Sequence, residues 1–184
     1  MHEDKSRTDV AALFIVKARS LLMTDYLPKI ERCLERLSEE QVWWRSNEES
    51  NSIGNLILHL CGNARQWIVS GLGGAVDTRA RQSEFDERSP ISTLELLGHL
   101  RQTLAEVDQV LADFAPASLP ERRFIQGTEQ IVLEAVFHVV EHFSMHTGQI
   151  ILLTKMLTES DLRFYDFSEG LPRADWHRKQ QKEA

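Results

Sequence analysis

A chain of 184 residues with 42% hydrophobic and 27% charged side chains has the balance of one ordinary globular domain, taken here as 1–184, and not that of a disordered segment. A net charge of −7 with no basic stripe excludes a protein that engages phosphate backbones, so no nucleic-acid partner is expected. No apolar run nears the roughly 20 residues of a membrane span. The stretch MHEDKSRTDV is too charged for a signal peptide, and Cys33 and Cys61 are too few for a disulfide framework, so a cytoplasmic protein with no membrane partner is expected.

Helical periodicity marks four segments, and none reads as a strand. The first covers about 8–37, with Leu13, Val16, Leu21, Leu27, Ile30, Leu34 and Leu37 forming the apolar stripe. Pro28 should kink it, since it lacks an amide donor and clashes with the preceding turn. The second covers about 52–70 and stops at Gly71, Gly73 and Gly74. The link 71–90 is longer than the 2–8 residues usual between bundle helices, enough to run back and join two parallel helices. It is charged, and Arg79, Arg81 or Glu84 is expected to turn inward to Glu141 or another site carboxylate, with Phe85 as apolar anchor. The third helix is expected from Pro90 to Phe114, with Ser92, Thr93 and Glu95 as its start signal. The fourth covers about 128–157, with Thr128 as cap. The reading is an all-α, four-helix fold with a core at about 8–157 and an irregular tail at 158–184. That tail ends in a charged cluster, Arg173, Arg178, Lys179 and Lys182, expected to be solvated.

The chemistry sits in HVVEHFSMHTGQ, where His138, His142 and His146 recur every four residues. Imidazoles at i and i+4 share one helix side and can converge on a metal ion. Positions i and i+8 lie about 12 Å apart along the axis, so one pair chelates and a further ligand comes from another helix. The second helix offers it: His59 lies in a polar strip with Asn55, Gly62, Asn63 and Gln66, apart from the apolar face. Uncharged hydrogen-bonding groups around a histidine suit a sheltered site better than a solvated surface. Cys61 lies about 200° around the helix from His59 and reads as a small buried thiol. His138-Val-Val-Glu141-His142 also matches the inverted zinc-protease signature, but the 42 residues after His142 hold no clear helix for its third ligand.

Three motifs, NSIGNLILHLCGN (51–63), DTRARQSEF (77–85) and HVVEHFSMHTGQI (138–150), together resemble the DinB-like superfamily, and within it an uncharacterised bacterial branch. The resemblance spans about 11–157. It implies a four-helix bundle of up-down-down-up order with a long crossover between helices two and three, and commonly a homodimer. It further implies nickel or zinc on His59, His142 and His146, which leaves His138 as a neighbour. Some members similar to this fold are thiol transferases that use bacillithiol, mycothiol or glutathione, and many others have no known activity. Thr147 and Glu141 depart from the family pattern, which more often has a basic residue at the first and Asn or another polar group at the second, and this bears on the substrate more than on the metal.

Two functions follow as expectations. Three imidazoles leave an ion open positions, at which a low-molecular-weight thiol would ionise and attack a small electrophile, or water would be activated for hydrolysis. Asn55, Asn63, Gln66, His138, Glu141 and Gln149 are the surrounding candidates, and Arg79 and Arg81 are candidates to meet a cofactor carboxylate. The alternative is a non-catalytic, metal-stabilised dimeric stress or scaffold protein.

Overall fold

In the computed structural model, which describes residues 5–88 and 91–176, the first helical segment is not one kinked rod but three pieces. Helix α1 (Lys5–Ser20) passes through a π-helical turn at Leu21–Tyr26 into α2 (Leu27–Leu34). The cause is Pro28, which has no N–H for the Thr24 carbonyl. The turn before it widens, with Leu27 N–H donating to the Leu22 carbonyl, and the indole Nε1–H of Trp176 donates to the Thr24 carbonyl at 2.9 Å. The expected stripe holds for Leu27, Ile30 and Leu34 but not for Leu13 and Val16, which are exposed; Ile15, Ala18 and Leu22 are buried in their place.

A short helix α3 (Glu39–Val42) leads to α4 (Ile53–Ala64), each opened by a capping box, from Ser38 with Gln41 and from Ser52 with Asn55. Gly54 lets the Trp43 ring lie flat on α4, since a Cβ there would stand 2.9 Å from it. Helix α4 continues as a second π-helical turn, Arg65–Ser70, and ends at the expected glycines. The link that follows is not plain loop: it contains α5 (Arg81–Asp86), which packs on α4. Helix α6 (Thr93–Asp113) opens on the Ser92 and Glu95 capping box; Pro90, expected at its start, lies outside the described residues.

Thr128 is not a helix cap. It belongs to a hairpin of β1 (Arg122–Ile125) and β2 (Thr128–Ile131), paired Ile125 with Thr128 and Arg122 with Ile131. Gln126 (φ 53°) and Gly127 (φ 82°) both turn left-handed, as a two-residue hairpin turn requires. Helix α7 (Val132–Thr158) therefore needs no side-chain cap: its first two amides donate to the carbonyls of Glu121 and Leu119. The tail folds back, with Leu162 and Phe164 buried, a minimal pair β3 (Tyr165–Asp166) and β4 (Arg173–Ala174), and Arg32 donating to the carbonyls of Leu162 and Arg163. Arg178, Lys179 and Lys182 lie outside the described residues.

The four long helical segments share one buried cluster, with Leu22, Ile30, Leu60, Leu104 and Phe143 among its largest members. Cross-contacts fix their register: Arg19 with Asp108, Glu31 with Arg101, Arg65 with Glu106, and Gln41 with the Leu157 carbonyl. No helix of the described residues is long and apolar enough to cross a membrane.

Candidate metal centre

On α4 and its π continuation, His59, Asn63 and Trp67 follow at four-residue steps and line one face. Across from them stand His146, His142 and His138 of α7. His59 Nε2 and His142 Nε2 are 2.9 Å apart. The imidazoles of His142 and His146 have ring centroids 4.4 Å apart, and those of His59 and His146 5.2 Å. One nitrogen from each of His59, His142 and His146 lies within 4.8 Å of the other two. A zinc ion with Zn–N bonds of about 2.0–2.1 Å holds tetrahedral nitrogens about 3.3 Å apart, within reach of small side-chain rotations.

Hydrogen bonds preset two of the three donors. His59 Nδ1–H donates to Glu84 Oε2 at 2.8 Å, leaving Nε2 as a lone pair. His146 Nδ1–H donates to Gln149 Oε1 at 2.6 Å, and its Nε2 is buried with no hydrogen-bond partner among the described residues. A buried acceptor without a donor is destabilising, and a cation held among the three rings would satisfy it. His138 is held out of the group. Its Nε2 accepts a hydrogen bond from Asn63 Nδ2 at 3.1 Å, and its ring packs on Trp67 at 4.3 Å.

The ring environment favours neutral imidazole, the form that ligates metals. Burial first, then the neighbouring imidazoles of His146, His59 and His138 and the Arg79 charge, push His142 down to about 3. Burial likewise lowers His138 and His146. His142 is the half-exposed member of the three and marks the side open to solvent, whereas His59 and His146 are buried.

Behind His59 lies a buried ion pair. Arg79 donates from Nε and Nη2 to the two oxygens of Glu84 (2.7 and 2.9 Å), and from Nη1 to Gln66 Oε1 (2.9 Å). Burial alone would raise the Glu84 carboxyl, but the hydrogen bonds from Arg79 and His59 outweigh it and hold Glu84 below the ordinary carboxylate range. Gln66 Nε2 donates in turn to Asp77, which also caps the Arg79 amide. Asn55 Nδ2 donates to the carbonyls of Glu84 and Glu87, pinning α5 to α4, and the Phe85 ring lies 4.6 Å from that of His59.

The loop thus turns inward as expected, and the carboxylate it brings to the site is Glu84, not Glu141. Arg79 meets Glu84 of its own loop, Arg81 lies over the Phe85 ring, and Glu141 is exposed on α7. Arg79 directs donors from all three guanidinium nitrogens to Glu84 and Gln66. The contact of Glu84 with His59 was not foreseen; its signal is Gly62, on the polar strip, where a side chain would occupy the space that Glu84 fills. A groove of about 310 Å³ lies beside the pair, lined by Leu58, Gly62, Gln66, Asp77, Arg79 and Glu84 and by none of the histidines. Cys33 and Cys61 are buried free thiols, raised to about 11 and about 12 first of all by burial, and neither belongs to the centre.

The helical fold that carries these histidines is DinB-like: the chain is similar to the crystal structure of a DinB-like protein from Bacillus cereus ATCC 10987, with a TM-score of 0.55 at 15% identity over 74% of this chain and 90% of that one. The family model described as "Protein of unknown function (DUF1572)" matches residues 9–171, and the chain belongs to that family. No curated protein matches it.

Proposed function

We propose that this protein is a metal-dependent thiol S-transferase, or a related hydrolase, built on an up-down-down-up four-helix bundle that binds nickel or zinc at His59, His142 and His146. The observation that carries the metal reading is the buried, unpartnered Nε2 of His146, aimed among two further imidazoles. The bundle order is supported by the cross-contacts. Arg19 with Asp108 and Glu31 with Arg101 run antiparallel, and so do His59 with His142 and Asn63 with His138. Arg65 with Glu106, and Gly73 beside Val110, run parallel along α4 and α6.

The charge of the centre supports an anionic ligand. Arg79 cancels Glu84, and the imidazoles add no negative charge, so a divalent ion would keep its full excess of positive charge. Such an ion, held by His59, His142 and His146, would supply a position at which a thiol ionises at neutral pH. In the transfer, the thiol proton leaves to water, sulfur forms a bond to the electrophilic carbon, and the leaving group departs with its electron pair. His142, on the open side, faces the incoming ligand, while the Glu84 and Arg79 pair closes the side behind His59. The same centre with water in place of a thiol is the hydrolase form.

A homodimer fits the apolar side chains left exposed on α7, namely Leu133, Phe137, Met145, Leu152 and Met156. Sedimentation of wild type and Phe137→Lys tests it: a dimer that the substitution dissociates supports the pairing, and a monomeric wild type removes it. For the activity, metal-loaded protein is titrated with bacillithiol, mycothiol, glutathione and coenzyme A in a calorimeter. The best binder is then assayed for conjugation to an electrophilic bimane. Binding to one thiol and a conjugation rate that chelation abolishes are expected. Metal binding with no thiol affinity would leave the non-catalytic metal-stabilised protein as the better reading.

A further inference from the structure

We propose that Glu84 is the positioning residue of the metal centre, and that through it the 71–88 link closes when the ion binds and loosens when the ion leaves. This rests on the reading of His59, His142 and His146 as ligands. Glu84 is not a ligand itself: one oxygen faces Arg79 and the other is shared between Arg79 and His59 Nδ1, on the side of the ring away from the other two histidines. Its effect passes through His59. An ionised carboxylate only accepts hydrogen bonds, so it holds the imidazole proton on Nδ1 and keeps Nε2 unprotonated toward the ion. It also makes that Nε2 a better donor, and such partners commonly contribute 10- to 100-fold to metal affinity.

The surroundings are shaped for this contact. Arg79 grips the carboxylate from two nitrogens, so its rotation is fixed and its charge balanced in a buried place. Gly62 leaves the space it occupies: a Cβ there would stand 1.9 Å from Glu84 Oε1. Asn55, two helical turns from Gly62, fixes the α5 backbone by the carbonyls of Glu84 and Glu87. Phe85, the next residue, covers the His59 ring. The link thus contacts the centre through His59, and by linkage whatever the closed link adds to metal affinity, the metal adds to closure.

The test uses metal-stripped full-length protein titrated with Ni²⁺ and with Zn²⁺ by calorimetry, for wild type, His142→Ala, Glu84→Gln and Glu84→Asp. Helical circular dichroism checks folding, and hydrogen exchange reads the amides of 79–87 with and without metal. Side-chain ¹⁵N shifts of His59 give the tautomer, a readout that loss of packing alone does not reproduce. Expected are 10- to 100-fold weaker binding in Glu84→Gln, loss of the pure Nδ1–H signature, and loop protection that metal raises in wild type but not in this variant. Glu84→Asp, which keeps the charge beside Arg79, is expected to lie between. Glu84→Gln affinity within about threefold of wild type, or wild-type loop exchange indifferent to metal, overturns the proposal while leaving the ligand assignment standing. A wild type that binds no metal, or a His142→Ala that binds as well as wild type, overturns the ligand assignment and this proposal with it.

Discussion

Alanine at Gly62 isolates the packing that holds the link over the centre. Its Cβ would stand 1.9 Å from Glu84 Oε1, 2.7 Å from Glu84 Cδ and 3.0 Å from Arg79 Nε. The helix backbone has no reason to move, because the obstructing atoms are the end of a side chain; the carboxylate is what leaves. It gives up its bonds to Arg79 and His59, each charge-assisted contact contributing about 1.5–3 kcal/mol, part of which water restores once the group reaches solvent. Alanine in mid-helix returns about 1 kcal/mol over glycine. The expected balance is a destabilisation of about 2 kcal/mol, with α4 intact and the link detached. Urea unfolding followed by helical dichroism measures the first quantity, and hydrogen exchange at 79–87 the second. A variant as stable as wild type or more so, with its link amides equally protected, would refute the reasoning.

Three further outcomes are expected. In metal-stripped protein, His142 is lowered from its ordinary 6.5 to about 3, so the unfolded chain binds more protons across that window and stability falls with pH below about 6.5. The lowered Glu84 acts in the same direction, its contribution being present above its unfolded value of 4.5 and lost as pH falls through the folded one. A urea midpoint that stays flat from pH 7 to pH 4 contradicts this. Cys33 and Cys61, raised by burial to about 11 and about 12, should resist a thiol reagent in the native state and react on unfolding; rapid native labelling of either contradicts the burial. Trp176→Phe removes the donor to the Thr24 carbonyl and should destabilise by about 1 kcal/mol in the same urea assay, whereas an unchanged midpoint means water takes over that carbonyl.

The centre was legible because helical spacing converts directly into geometry. His142 and His146 stand one turn apart on α7, and the uncharged strip of α4 marked where His59 faces inward. Which of the three α7 histidines stays out is decided by Asn63, whose amide occupies His138 Nε2, a contact between helices that no single-helix pattern contains. The tie from Glu84 to His59 spans 25 residues and depends on how α5 lies across Gly62, so spacing alone pointed only to an inward turn. The hairpin was missed because four-residue strands carry too little alternation, and because Gly127 before Thr128 reads equally as a helix approach. The π-helical turn before Pro28 was read as a simple kink, since its relief by Trp176 comes from the far end of the chain.

Metal binding to protein prepared without a nickel column, in wild type and in four single alanine variants, tests the centre most directly. The wild type should carry close to one nickel or zinc ion per chain. His59→Ala, His142→Ala and His146→Ala should lose tight binding while keeping their helical dichroism, because a core drawn from all four long helical segments does not depend on the ion. His138→Ala should keep most of its affinity, its Nε2 being engaged by Asn63 in the wild type. A wild type free of metal and unable to take it up, or equal loss of affinity in His138→Ala and His146→Ala, would contradict the account.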